Sequence, residues 1–225
     1  MGLRNFFNLI NKAVQPAMPQ SSFEGLTELE LETHLAIARY GDFELTDAIR
    51  PSYDLQIVPR EGWRQDVHSD GIPVLLAACT RQKLFGVFME LVGTMGPYVD
   101  TVLETSHMTS DGEHRDLYRE GIDLPVLQSL LWEYEDLLMN DGWTGIAVLE
   151  PDVRREIQLN EHKLLVAYGN DLSAEKDVLR NAGIAQNQHI KFITENEHIH
   201  SSSETYQRLC NALRCQLGLD DDYTP

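Results

Sequence analysis

Between Ile193 and Leu209 the chain reads ITENEHIHSSSETYQRL, which places Glu195, Glu197, His198 and His200 within six residues. Carboxylates and neutral imidazoles are the side chains that ligate divalent transition metals and that shuttle protons. A second E-x-x-H pair, Glu104 with His107, stands ninety-one residues earlier than Glu195 and His198. On a helix, residues three apart share a face and can hold one ion. Both pairs here follow strand-like runs, and on a strand residues three apart point to opposite faces, so Glu195 meets His198 only where the chain bends. His198 and His200, two apart, share a strand face and can co-ligate. The candidate site is therefore Glu195, His198 and His200, for a divalent metal or acid–base chemistry, with Glu104 and His107 joining if a symmetry between two halves brings them close. The competing expectation is that a polar cluster marks a strand ending in solvent. No cofactor is expected beyond that divalent metal.

A second candidate is REGWRQDVHSDGI, where Arg60, Arg64, Asp66, His68 and Asp70 surround Trp63. It reads as a polar loop, and loops on a rigid scaffold often carry binding residues. A tryptophan beside arginines has the composition of a contact surface, which nominates Trp63 and Arg64 as interaction residues. The alternative is a hairpin loop with Trp63 folded over its own core. The chain has no G-x-G-x-x-G, Walker loop, G-x-S-x-G elbow, H-E-x-x-H or C-x-x-C. Gly169 sits at a strand-to-helix turn suited to an anion, but Asp171 and Glu175 would repel a phosphate there.

The bulk composition narrows the function classes. With 225 residues and 42% hydrophobic content the chain can bury a substantial core. Lys and Arg total 18 against 36 for Asp and Glu, and the net charge of −18 opposes attraction to a phosphate backbone, so nucleic acid is not an expected partner. Cys79, Cys210 and Cys215 form no C-x-x-C pair and read as reduced core residues, with Cys210 and Cys215 on different helix faces. No apolar run reaches the roughly 18 residues of a spanning helix, so integral membrane association is not expected. Polar residues interrupt any signal-peptide core, and Phe6 stands where a myristoylation motif wants Ser or Thr. The expected location is the cytoplasm.

The elements that must position these residues follow from hydrophobic periodicity. Leu3, Phe6, Ile10 and Val14 recur at helical spacing, so residues 3–14 read as an amphipathic helix, broken by QPAMPQSS. Residues 1–22 carry Arg4 and Lys12 and no acid. This arm is expected to dock on an acidic surface of its own chain, a sister subunit or a partner protein, with Phe6, Phe7 and Ile10 as its contact residues.

Residues 23–108 read as a first half of order α-β-β-β-α-β: a helix in LTELELETHLAIARY, strands in GDFELTDAI, YDLQIVP and IPVLLAAC, a helix in QKLFGVFMELVGTM, and a strand in YVDTVLE. Residues 109–122 have a linker's polar, Gly-containing character. Residues 123–220 repeat the order: a helix in LPVLQSLLWEYEDLLMN, strands in WTGIAVLE, REIQL and HKLLVAYG, a helix in SAEKDVLRNAG with Gly183 as its stop, a strand in HIKFITE, and a terminal helix opened by a Ser201–Glu204 capping box. Residues 221–225 form an acidic tail. Phe43, Ile49, Pro51 and Ile57 stand one hundred residues before Trp143, Leu149, Pro151 and Ile157, which suggests an internal duplication. The expected class is α+β, mainly antiparallel sheets with helices on one face, in two tandem pseudo-repeats plus a C-terminal helix and an N-terminal arm. The order helix, three strands, helix resembles the start of type III secretion chaperone-like folds, and departs from them after the second helix, where one strand follows instead of two.

These observations support three functional expectations. The first is a non-catalytic, chaperone-like or regulatory protein that binds a protein partner, or itself, through the arm or the Trp63 segment. The second is a metal-dependent enzyme using the cluster near residues 195–200. The third is a small-molecule sensor binding between the halves.

Overall fold

The computed structural model describes residues 20–108 and 114–219. The arm residues Phe6, Phe7 and Ile10 and the tail 221–225 lie outside them. The fold is α+β and mainly antiparallel. No helix among the described residues is long and apolar enough to cross a membrane.

Helix α1 (Glu28–Leu35) opens with a capping box in which Thr27 and Glu30 satisfy each other's backbone N–H groups. Short strands β1 (Arg39–Tyr40), β2 (Phe43–Glu44) and β3 (Ile49–Pro51) follow. Strands β4 (Gly62–Val67) and β5 (Pro73–Ala78) form a hairpin, and α2 (Arg81–Val92) crosses to the hairpin of β6 (Tyr98–Thr105) and β7 (Arg115–Asp123). Helices α3 (Leu124–Glu133) and α4 (Glu135–Asn140) lead into the meander β8 (Thr144–Glu150), β9 (Arg155–Leu159) and β10 (Leu165–Tyr168). Helix α5 (Ser173–Asn181), a 3-10 turn (Ile193–Glu195), β11 (His198–His200) and α6 (Glu204–Gln216) complete the chain.

Seven strands make one sheet in the order β4-β5-β10-β9-β8-β6-β7, every neighbouring pair antiparallel. The late meander slots between β5 and β6, so strands from the first and second halves of the chain interleave in a single sheet. Strand alternation sorts side chains by face. Ile146, Val148, Ile157, Leu159 and Leu103 join the main core with Phe88 of α2, Leu131 of α3, Leu138 of α4, Leu179 of α5 and Leu213 of α6. On the other face, Leu76, Ala78 and Leu164 pack against Phe43, Ile49, Ile190, Phe192 and Ile193. That packing seats the two-stranded ribbon of β3 and β11 beside the β9–β10 turn, with His198 opposite Pro51 and His200 opposite Ile49.

Several expectations are corrected. The duplication is not confirmed: Ile49 lies in the ribbon strand β3 whereas Leu149 lies in the central strand β8, and Ile57 lies outside any strand whereas Ile157 lies in β9. Most of the expected linker is β7, an edge strand whose exposed charges give it a loop's composition. The Trp63 segment is β4, and Trp63 is 2% exposed, its indole N–H donating to Ile184 O at 3.1 Å. The Trp63 ring is therefore a core residue and not an exposed contact residue. YDLQIVP forms no strand, since Leu55 adopts φ 49° and turns the chain. In HIKFITE the alternation of Ile190 and Phe192 reports burial against the sheet's second face without ladder pairing. The helix at 124–140 breaks at Tyr134, and the terminal helix is capped by Ser203, whose hydroxyl accepts from Tyr206 N–H. Cys215 is exposed rather than in the core.

The free edge of β4 is closed locally. Trp63 exchanges backbone hydrogen bonds with Ala185 and Asn187, and the Gln188 amide pairs with both the N–H and the C=O of Gln65. A side-chain amide thus stands in for a neighbouring strand, which removes an aggregation-prone edge.

Two acids, Glu104 of β6 and Glu156 of β9, are buried on the sheet's second face. Glu104 accepts from the Gln158 amide, while Glu156 Oε2 has no hydrogen-bond partner among the described residues. Burial pushes both carboxyls up to about 8, against an ordinary value of 4.5. The folded chain therefore keeps protons that the unfolded chain releases near pH 4.5, and stability falls as pH rises from about 4.5 to about 8. Glu156→Gln, which cannot ionise, is expected to flatten part of that slope in urea titrations across this range. An unchanged slope would contradict the buried acid. Gly142 has no room for a side chain: a Cβ would overlap Ala48 O and meet Ser201 N and O at 3.0 Å. Gly142→Ala is expected to destabilise the chain by about 1–3 kcal/mol, as overpacking does, measured by urea denaturation.

Candidate metal centre

Three imidazoles converge where the ribbon meets the β9–β10 turn. One ligand nitrogen from each of His162, His198 and His200 lies within 4.8 Å of the other two. The ring centroids are 4.8 to 5.0 Å apart. Metal–imidazole bonds of about 2.0–2.1 Å hold two ligand nitrogens within about 4 Å of each other, so the rings must close on an ion to ligate it. All three rings are partly buried.

Each ligand owes its place to local backbone chemistry. His198 and His200 sit two apart on β11, so they share a face. His198 Nδ1 lies 2.7 Å from Asn196 O, and His200 Nδ1 lies 2.6 Å from Gly142 O. A carbonyl oxygen only accepts, so each Nδ1 carries the proton when the ring is neutral and Nε2 is the nitrogen with a lone pair to offer; His198 has a further backbone hydrogen bond, to Ile193. Anchoring one ring nitrogen on a carbonyl while the other faces the ion is the usual outer support of a ligating histidine. His162 comes from the 160–164 turn. The Asn160 side chain accepts from His162 N–H at 3.1 Å and Leu164 N–H at 2.9 Å, and Lys163 takes a left-handed φ of 58°. The Lys163 ammonium then reaches under the sheet edge and donates to Thr144 O at 2.7 Å, pinning the turn to β8.

Burial favours the neutral form of two of the rings. Burial, reinforced by the neighbouring His200 and His198, lowers the His162 imidazole to about 2. Burial also lowers His198, against its hydrogen bond to Asn196 O. Burial lowers Lys163 to about 8, with Asp141, Glu161 and Glu104 opposing that shift.

Of the residues nominated from sequence, His198 and His200 are brought together and Glu195 is not. Its carboxylate accepts from Arg64 Nη1 at 2.9 Å and Phe192 N–H at 3.1 Å. Glu195 lies in the 3-10 turn before β11, and the intervening chain does not bend back toward the imidazoles. Arg64 is thereby committed to Glu195 and Asp66, with its guanidinium 5.0 Å from the Phe192 ring centre. Glu104 and His107 also stay apart from the triad. His107 Nε2 lies 2.7 Å from Asp141 Oδ2 in a buried pair that Thr144 joins through its hydroxyl at 2.5 Å. His162 was missed because it lies thirty-six residues before His198, in a turn with no metal-binding spacing of its own. A cleft between β2, the 160–164 turn and residues 191–193 brings His162 into its wall, together with Phe43, Phe192 and the exposed Arg60 and Lys191. In comparisons with known proteins, no family model, no curated protein and no solved structure matches the chain.

Proposed function

We propose that this chain binds a single divalent transition metal through His162, His198 and His200 and works as a metal-dependent enzyme acting on water. The observation that carries the reading is the convergence of three imidazoles, two of them with Nδ1 committed to backbone carbonyls so that Nε2 is left to ligate. Three neutral nitrogen ligands with no carboxylate suit zinc, cobalt, nickel or copper rather than calcium or magnesium. Three protein ligands in place of four leave a coordination position for water, the pattern of catalytic rather than structural zinc. An ion held this way lowers the pKa of its bound water toward about 7, the chemistry of hydrolysis or hydration. The cleft with His162 in its wall is the opening beside this triad where a small substrate would enter. Partner binding through the Trp63 segment loses support, because Trp63 is buried.

Elemental analysis of untagged protein is expected to find one metal ion per chain, lost equally in His162→Ala, His198→Ala and His200→Ala and retained in Glu195→Gln. Loss in Glu195→Gln but not in His162→Ala would overturn the ligand set. The metal-loaded chain is expected to hydrolyse an activated ester such as p-nitrophenyl acetate, with the rate abolished by chelation and by His200→Ala. Stoichiometric metal with no such rate above background would leave the site structural.

A further inference from the structure

Behind the imidazoles stands a second row of charge. Glu161, the residue before His162, places Oε1 3.9 Å from His162 Nδ1 and Oε2 3.5 Å from His114 Nδ1. His114 Nε2 in turn lies 3.1 Å from Asp116 Oδ1 on β7. A chain of alternating acid and imidazole therefore runs from the sheet edge to one ligand of the triad. His162 is also the one ligand whose Nδ1 has no backbone carbonyl among the described residues, where His198 and His200 each have one. What faces that nitrogen instead is the Glu161 carboxylate. The surrounding contacts hold this acid in place: its backbone N–H abuts Gly145, where a Cβ would stand 3.1 Å away, and its side chain is 18% exposed.

We infer that Glu161 and His114 are positioning residues for the metal, Glu161 fixing His162 as the Nδ1–H tautomer with Nε2 toward the ion, and His114 holding Glu161 to that task. At 3.9 Å the Glu161–His162 contact is longer than a hydrogen bond. Ligation must therefore bring the two groups within hydrogen-bond distance. A carboxylate behind a ligating imidazole raises its basicity and fixes its orientation, and removing such a partner typically weakens metal binding about 10–100-fold. His114 has its own reason to stay in place and to favour its charged form. Its hydrogen bond to Asp116 raises the imidazole above its ordinary value against the effect of burial, and Glu161 and Glu104 add to that. Without His114, Glu161 and Asp116 would lose the imidazole that lies between them.

This inference rests on the metal-binding reading, and one experiment separates the two. Zinc affinity is measured by chelator competition, and cobalt spectra are recorded in the visible, on the full chain as wild type, Glu161→Gln and His114→Gln. Wild type is expected to bind one ion. Glu161→Gln is expected to bind zinc about 10–100-fold more weakly with altered cobalt bands, and His114→Gln to shift both in the same direction by less. The metal-free thermal midpoint is expected to stay unchanged, which a structural role would move. Wild-type affinity and spectra in both variants would overturn the inference while leaving the metal site intact. Absence of binding by wild type would overturn both. If Glu161→Gln fails to fold, His114→Gln decides alone.

Discussion

The arrangement of the site depends on one junction of three distant backbone segments. Ser201 N–H donates to Ala48 O at 2.8 Å, Gly142 N–H donates to Ser201 O at 2.8 Å, and the Gly142 carbonyl then accepts from His200 Nδ1 at 2.6 Å. These bonds join the end of β11, the stretch before β3 and the turn into β8. Glycine at 142 is what permits so close an approach. The same bonds that lock the ribbon to the sheet also fix the tautomer of a ligand, so fold and site cannot be separated here. The neighbouring Asp141 reinforces the turn from below. Its burial would raise the carboxyl, but hydrogen bonds led by His107 hold it below the usual range, so it stays ionised between His107 and Thr144.

The second organising feature is the treatment of charge. The chain is strongly acidic, yet its three clustered imidazoles have no carboxylate among them. The acids are kept one step away: Glu161 behind His162, Glu195 turned to Arg64, Asp141 paired with His107. Imidazoles surrounded at a distance by negative charge favour a divalent cation, because the field attracts the ion, and burial weakens proton competition at His162 and His198. The buried Lys163 stands beside this site as a tie of the turn to Thr144, and burial weakens its hold on its own proton.

Much of the architecture was legible in the sequence, and the failures share a physical origin. Strands β5 and β8 were read correctly because burial on both faces leaves a short, nearly continuous apolar run, and β9 because Ile157 and Leu159 alternate with Glu156 and Gln158. Helices α2, α5 and α6 were found from their 3.6-residue pattern, and Gly183 does end α5, with φ 75°. Edge strands β4 and β7 were read as loops, since an edge carries charge where a central strand carries apolar side chains. Two of the three candidate ligands were visible: two histidines two apart on a strand must share a face, and that rule placed His198 and His200 together. The third ligand was not visible, because a turn thirty-six residues earlier reaches them only through sheet topology, and no local spacing encodes that encounter. Glu195 was nominated by proximity in sequence, and strand geometry already argued against it.

The central claim is that backbone carbonyls hold His198 and His200 with Nδ1 protonated so that, with His162, three Nε2 atoms can bind one ion. Long-range nitrogen–proton NMR of the imidazole rings, in metal-free protein at pH 7 and again after one equivalent of zinc, tests this most directly. The account predicts the Nδ1–H tautomer at His198 and His200 before zinc, and a coordinated shift of all three Nε2 resonances after it. Nε2–H tautomers at these residues, or a zinc response at fewer than three rings, would contradict it.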